Sequence, residues 1–239
     1  MRRKARTLLR ECKGLFSYPE LFDENRDQDT YWEKRRGQRL GVLNSFQKFR
    51  ADWILARVET GDSLLDLGAG DGAMVQYMRH QKDLRIKCAD ISQVALDYLR
   101  SKGFETVELE LTDCAALASI EPVDHVVLCE VLEHLVNPEQ LLRALEDCAK
   151  NSIFFSVPNT GYWSYRLRLL MGRFPVQWIA HPGEHCRFWT YKDMRWWLAE
   201  LGYGSRSEVR AYEGVPGLNR LMPGLFAKGL IARIKFNTC

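Results

Sequence analysis

The chain has 239 residues, a formal net charge of +3 and 46% hydrophobic residues, a composition typical of a globular protein with one sizeable core. Basic and acidic residues nearly balance, 34 against 31, so the overall charge gives no indication of nucleic-acid binding. The seven cysteines are scattered without a CxxC pair, which argues against a disulfide framework and a zinc site, and no signal peptide or membrane-spanning run is evident. We therefore expect a cytoplasmic protein.

Residues 1–60 have a polar, mainly helical pattern interrupted by aromatic residues, and residues 1–13 are locally basic. We interpret them as a helical N-terminal extension that forms a lid over a cofactor site in residues 61–239. The basic start is typical of a solvated helix face, and contact with a membrane surface is the alternative.

From residue 63 onward, short apolar strands alternate with amphipathic helices. Ser92, Asn137 and Thr190 are predicted N-caps of three of these helices. The alternation predicts an α/β fold with a doubly wound, mostly parallel, seven-stranded Rossmann-like sheet and an antiparallel strand at one edge. The predicted strands cover residues 64–67, 86–89, 107–111, 123–129, 153–157, 207–212 and 230–236.

A glycine-rich loop, Gly68-Ala69-Gly70-Asp71-Gly72, follows the first predicted strand. Such a loop lets an adenine-containing cofactor approach a strand-to-helix turn, and with Asp90 it also fits the dinucleotide fingerprint. A pyrophosphate at a helix N-terminus needs neutral or positive surroundings, yet Asp66 precedes the glycines and Asp71 lies among them. S-adenosylmethionine carries a sulfonium and an amino group and no phosphate, so these acids favour it over NAD.

Acidic residues also follow the later strands. Asp90 is expected to accept both ribose hydroxyls, and Asp113 is expected to accept from the adenine amino group, although a single Asp here also fits a helix cap or a solvated strand end. The predicted cofactor-binding residues are Asp66, Gly68, Ala69, Gly70, Asp71, Asp90, Ile91, Asp113, Cys129 and Glu130.

This constellation resembles the class I S-adenosylmethionine-dependent methyltransferases over about residues 60–236. The likeness is greatest to the MetW-like methyltransferases, through the glycine loop and residues 155–163, 166–176 and 185–190, and smaller to the ubiquinone-biosynthesis O-methyltransferases. It implies S-adenosylmethionine as the cofactor. The MetW-like resemblance also implies a partner enzyme, homoserine acyltransferase, that a subunit with weak or no transferase activity would support. The long N-terminal extension departs from the MetW-like pattern and indicates a separate substrate.

The segment Cys129-Glu130-Val131-Leu132-Glu133-His134 follows the fourth predicted strand, where an acceptor would meet the methyl group. If it is helical, Glu130, Glu133 and His134 share one face. Three interpretations stay open: His134 is a general base oriented by Glu130, the three residues hold a divalent cation as the similar motif of the ubiquinone-type relatives implies, or they are structural.

His185, just before a capped helix, is the second catalytic candidate, and a loop histidine bonded to the backbone is the alternative. The catalytic prediction therefore names His134, Glu130 and His185, and it names no metal ligand. Asn159 is expected in the wall of the substrate pocket. Residues 162–174 mix aromatic, basic and aliphatic side chains, which fits an anionic or lipid-linked substrate, a membrane surface or simply a packed helix.

These observations predict methyl transfer from S-adenosylmethionine to a small or carrier-linked metabolite, at oxygen. The alternative is a MetW-like partner subunit without strong activity of its own. An NAD-dependent oxidoreductase is disfavoured by Asp71.

Overall fold

The computed structural model describes residues 40–113, 116–117, 119–175 and 185–236, together with residues 15, 16, 18, 29 and 32. The predictions for the basic start at residues 1–13, for residue 176 and for three of the seven cysteines lie outside the described residues. The other four cysteines, Cys88, Cys129, Cys148 and Cys186, are free thiols.

Seven strands form one sheet in the order β3-β2-β1-β4-β5-β7-β6. Their bounds are β1 Ser63–Leu67, β2 Arg85–Asp90, β3 Glu105–Glu108, β4 Val123–Cys129, β5 Ala149–Pro158, β6 Ser207–Tyr212 and β7 Gly229–Lys235. The helices are α1 Ser45–Leu55, α2 Ala73–Gln81, α3 Gln93–Ser101, α4 Pro138–Ala144, α5 Trp163–Leu170, α6 Tyr191–Glu200, α7 Leu218–Leu221 and α8 Pro223–Phe226, and short 3-10 helices cover Leu132–His134 and Gly204–Arg206.

The predicted α/β fold with a mostly parallel sheet is confirmed. Strands β1 to β5 pair in parallel, and β7 is antiparallel to both β5 and β6. The reversed strand β7 thus lies one place in from the edge, and β6 runs in the direction of β5. The carboxyl end of β6 therefore lies at the same edge of the sheet as the glycine loop, the edge where ligands bind in such folds.

Both faces of the sheet are covered, because consecutive strand residues point to opposite sides. Phe154 packs into the cluster formed with α1 and α2, whereas Phe155 packs into the cluster formed with α4 and α6. The result is a three-layer arrangement in which every central strand is buried. Among the helices of the described residues, none combines the length and apolar character that a membrane crossing needs.

Local signals set most element boundaries. The Ser92 side chain accepts from the Ala95 N–H, and Thr190 and Asp193 form a reciprocal capping box at α6, as predicted. The predicted third strand is displaced: β3 begins at Glu105 and ends at Glu108, because the chain turns away once the Leu109 N–H has bonded to the Asp90 carbonyl.

Candidate active site

The glycine loop between β1 and α2 adopts a backbone that only glycine accommodates well. Gly68, Gly70 and Gly72 have φ angles of 74°, 53° and 61°. A Cβ on Gly68 would lie 2.7 Å from a Val131 methyl group, and a Cβ on Gly70 would lie 2.6 Å from the ring of Trp32. The loop, which we call the glycine cradle, therefore has no room for side chains, because Val131 and Trp32 approach its backbone closely.

Two buried acids lie under this cradle. Asp90 accepts from the Gly70 N–H through Oδ2 and from the Ser92 N–H through Oδ1, each at 2.9 Å. A carboxylate has about four acceptor positions, so Asp90 can still accept from a ligand hydroxyl. Burial, and then the neighbouring Asp90, raises the pKa of Asp66 to about 7, and burial also raises the pKa of Asp90. The pair forms a buried anionic surface that a cation would stabilise.

The other predicted cofactor residues lie around the same edge. Asp71 accepts from the Ala73 N–H at 3.2 Å and from the Gly41 N–H at 3.3 Å, so it both caps α2 and holds the preceding segment. Ile91 is exposed directly after β2. Asp113 is exposed, five residues beyond the end of β3, and accepts from the Ala116 N–H at 3.1 Å. Their roles toward a cofactor stay predictions.

Arg50 of α1 is a buried cation at this edge that sequence reasoning missed. Its Nη1 lies 2.9 Å from Glu130 Oε1 and donates to Ser156 Oγ at 3.2 Å, and Ser156 Oγ donates to Glu130 Oε1 at 2.7 Å. Glu130 itself has a φ of 60°, rare for a residue with a side chain. The sequence of a helix does not indicate whether an arginine such as Arg50 is buried or lies on the solvent-exposed face.

The helix that would align Glu130, Glu133 and His134 does not form, since only Leu132–His134 make a 3-10 turn. Instead Glu133 and His134 meet His185, and their ligand atoms all lie within 4.8 Å of one another. We call these three residues the histidine cluster. The two imidazole rings are nearly perpendicular, with centroids 4.7 Å apart.

The histidine cluster combines buried and exposed groups. Glu133 is 1% exposed, and neither of its carboxylate oxygens has a hydrogen-bond partner among the described residues. Burial raises the pKa of Glu133 well above its usual range. Burial and the adjacent His134 lower the pKa of His185 to about 3, so this buried imidazole is neutral. His134 is exposed.

Backbone contacts hold the histidine cluster together across a long sequence separation. The Glu133 carbonyl accepts from the Cys186 N–H at 2.7 Å and from the Arg187 N–H at 3.1 Å, which fixes His185 beside it. The Val131 methyl group beneath Gly68 then places the histidine cluster next to the glycine loop. Two separately predicted catalytic histidines thus converge at one place.

An apolar rim adjoins the histidine cluster. Val136, Phe174 and Phe188 are 78%, 55% and 43% exposed. The two phenyl rings are edge-to-face at 6.2 Å, and Arg187 donates to the Val136 carbonyl at 3.2 Å. This rim offers contact area for an apolar part of a ligand.

The expectation that Asn159 lines a substrate pocket is wrong. Its side chain is fully buried, donates to the Ala227 carbonyl at 2.7 Å and accepts from the Gly161 N–H at 3.1 Å. An amide is expensive to bury without partners, and here it joins the end of β5 to the chain before β7.

A cavity of about 320 Å³ opens at the carboxyl end of β6. The rings of Phe49 and Tyr212, stacked at 4.7 Å, form one wall, and Arg210 and Arg220 contribute positive charge. It lies on the same edge of the sheet as the glycine loop.

The chain is similar to methyltransferases of known families. Residues 31–207 match the family model described as a methyltransferase domain. The chain is 32% identical over 131 residues to a ubiquinone biosynthesis O-methyltransferase of Azoarcus sp. (strain BH72), an alignment that spans 52% of this chain and only 56% of that protein. It is 24% identical over 198 residues to the corresponding protein of Stutzerimonas stutzeri (strain A1501), covering 79% of this chain and 81% of that one.

Solved structures share the fold. A SAM-dependent methyltransferase from Archaeoglobus fulgidus superposes with a TM-score of 0.61 at 17% identity, covering 87% of this chain and all of that one. Magnesium protoporphyrin IX methyltransferase from Synechocystis, solved with bound SAH, gives 0.55 at 14% identity, covering 97% and 95%. At this level of identity the likeness concerns the fold.

Proposed function

The chain belongs to the methyltransferase-domain family, and from that premise we propose that it transfers a methyl group from S-adenosylmethionine to a hydroxyl oxygen of a small or carrier-linked metabolite. The observation that carries the proposal is the pair of buried acids, Asp66 and Asp90, beneath a glycine cradle. A cationic donor without phosphate is the adenosyl cofactor that such a surface favours.

The residues around the cradle match the polar groups of the donor. Asp90 has lone pairs for the ribose hydroxyls, and Asp113 would accept from the adenine amino group. Asp66 and Asp90 would stabilise the positive charge of the donor. Arg50, the buried cation of this edge, would bind the carboxylate of the methionine part.

The methyl carbon is already activated by the positively charged sulfur, so no covalent intermediate with the protein is needed. The site has to position the acceptor hydroxyl and accept its proton. The acceptor oxygen attacks the methyl carbon, the carbon–sulfur bond breaks, and its electron pair stays on sulfur to give neutral S-adenosylhomocysteine. The proton of the hydroxyl passes to His134, the exposed member of the histidine cluster. The nearly perpendicular ring of His185, 4.7 Å away between centroids, would orient that imidazole.

The apolar rim supports an acceptor with an apolar part. The curated relatives named above act, by their names, in ubiquinone biosynthesis as O-methyltransferases, which favours oxygen as the acceptor atom. The exposed surface continues through Leu169, Leu170 and Met171 at the end of α5, and the expectation of peripheral membrane contact rests on these side chains.

The finer likeness to the MetW-like proteins, and with it a partner enzyme, is also part of the proposal. Two of the segments that carry this likeness lie side by side: Asn159 and Trp189 form a bridge, and the Thr160 N–H donates to the Trp189 carbonyl at 2.9 Å. We propose further that residues 1–60 cover the cofactor, in keeping with the contact of Trp32 on Gly70.

A transfer assay with methyl-labelled S-adenosylmethionine tests this function. We use three matched acceptors, 4-butylphenol, 4-butylaniline and 4-butylthiophenol, and expect label in the phenol ether. His134→Ala should lower turnover by about 100-fold while S-adenosylhomocysteine still binds. His80→Ala, an exposed histidine of α2, is the control. Label in the amine or thiol product, or unchanged turnover of His134→Ala, would contradict the proposal.

A further inference from the structure

We propose that Glu133, His134 and His185 bind one divalent transition-metal ion of the Zn²⁺ type. This goes beyond the proposed methyl transfer, and it concerns the same edge of the sheet. The sequence left a cation at Glu130, Glu133 and His134 as one of three interpretations. The juxtaposition of the two histidines with an unpartnered carboxylate carries the present inference.

The first argument is the state of Glu133. A carboxyl group that is almost wholly buried, without a hydrogen-bond partner for either oxygen in the described part of the chain, carries an uncompensated desolvation cost. Nearby Arg50 is already paired with Glu130. A cation held between Glu133 and the two imidazoles would remove that cost and give the carboxylate the partner it lacks.

The second argument is the chemistry of the donor set. Two imidazoles and one carboxylate suit transition metals, whereas Mg²⁺ prefers oxygen ligands and retained waters. His134 reaches solvent, which leaves an open side for a further ligand. The ligand atoms lie within 4.8 Å of one another, so shifts of about 1 Å would bring them to bonding distance of one ion.

The third argument is the position of Glu130. The resemblance to ubiquinone-type enzymes implied Glu130, Glu133 and His134 as the cation ligands. Here Glu130 has a left-handed backbone and its carboxylate is held by Arg50 and Ser156. His185 takes the third place, fixed there by the two N–H groups that bond to the Glu133 carbonyl.

When bound, such an ion lowers the pKa of a hydroxyl that coordinates it. His134 then offers its lone pair to the ion and cannot also accept a proton. The same three side chains thus provide two distinct ways of activating the acceptor hydroxyl: His134 accepts its proton when no ion is bound, and a bound ion lowers its pKa. Metal titration distinguishes the two.

Calorimetric titration of the chelator-stripped full-length protein with ZnCl₂, and with MgCl₂ for comparison, tests the site. We expect one Zn²⁺ per chain and much weaker Mg²⁺ binding. His134→Gln, at an exposed position, and His185→Gln should each weaken Zn²⁺ binding by at least about 100-fold. Co²⁺ should give a visible absorption band of histidine ligation in the wild type, and the band should disappear in both variants.

Three control variants distinguish Zn²⁺ binding at the histidine cluster from Zn²⁺ binding elsewhere on the protein. Glu130→Gln should keep Zn²⁺ binding within about threefold, which distinguishes the observed set from the set that the sequence motif implies. Cys186→Ser and His80→Gln should also keep it, because neither side chain belongs to the histidine cluster.

Loss of Zn²⁺ in Glu130→Gln with retention in His185→Gln would overturn the proposal. The proposal would also be overturned if the wild-type protein bound Zn²⁺ no more tightly than His134→Gln does. S-adenosylhomocysteine binding, measured on the same samples, shows whether each variant is folded. The transfer assay described above tests the proposed function, so a failure of either proposal is recognised on its own.

Discussion

We propose that the protonation state of Asp66 affects the affinity of this site for a cationic cofactor. It is buried at the end of β1, and burial with the neighbouring Asp90 raises its pKa to about 7. In the free protein the carboxyl group is therefore largely protonated at pH 6 and largely ionised at pH 8. A cationic ligand favours the ionised form, so binding of the donor and loss of the proton are coupled.

This coupling predicts a pH-dependent affinity. S-adenosylmethionine should bind about tenfold more tightly at pH 8 than at pH 6, by calorimetry. Asp66→Asn, which has the same shape without the ionisation, should give a nearly flat profile. S-adenosylhomocysteine, with its uncharged sulfur, should show a smaller rise in the wild type. An equal rise in Asp66→Asn would assign the proton to another group.

Single residues differ in how far sequence can predict them. Asp66 and Asp90 were predictable because strand ends in a doubly wound sheet converge at one edge. Arg50 was not, because its burial depends on the docking of α1 against the sheet. The meeting of His134 and His185 depends on backbone bonds across about 50 residues, which no local pattern encodes.

At the scale of elements, α1 is docked onto the sheet by aromatic and ionic contacts. Phe49 stacks on Tyr212 of β6, and Trp53 meets Phe154 of β5 edge-to-face at 5.9 Å. Arg50 adds the buried ion pair with Glu130. Helix α1 belongs to residues 40–60, the part of the N-terminal extension that the structure describes continuously. This docking places it against the candidate cofactor site.

Arg50→Met keeps the length of the side chain and removes its charge. It should lower the free energy of unfolding by about 2 kcal/mol, because the half-buried Glu130 loses its partner. It should also weaken S-adenosylhomocysteine binding, which retains the donor's carboxylate. Denaturant unfolding and calorimetry measure the two effects.

The matched control is Arg57→Met near the end of the same helix. Arg57 pairs with Glu208 at 2.6 Å in a more exposed setting, so its loss should cost less than about 1 kcal/mol and should leave binding unchanged. Equal effects of the two substitutions would show that Arg50 has no special role.

Elements with strong local signals were predicted well. The buried strands are apolar on both faces, and the caps at Ser92 and Thr190 have the side chains that helix N-termini need. Prediction was less successful where the chain leaves regular structure. Strand β3 begins and ends earlier than predicted, and the segment after β4, for which a helix was only considered, turns at Glu130. Backbone strain at a single residue carries no periodic signal.

At the scale of the whole molecule, the sheet gathers side chains from distant parts of the sequence. The carboxyl ends of β1, β2, β4 and β6 bring the glycine loop, Asp90, the histidine cluster and the Tyr212 cavity to one edge. The family is confirmed by the match over residues 31–207. We propose that Asp66 and Asp71 distinguish this site from a dinucleotide site on the same type of fold, because Asp90 fits both.

The most direct test of this account is calorimetry of the full-length protein with S-adenosylmethionine, S-adenosylhomocysteine and NAD. We predict binding of the first two ligands and none of NAD. Asp90→Ala should abolish binding, because we propose that its carboxylate accepts from the ribose hydroxyls. NAD binding as tight as that of S-adenosylmethionine, or unchanged affinity in Asp90→Ala, would contradict the account.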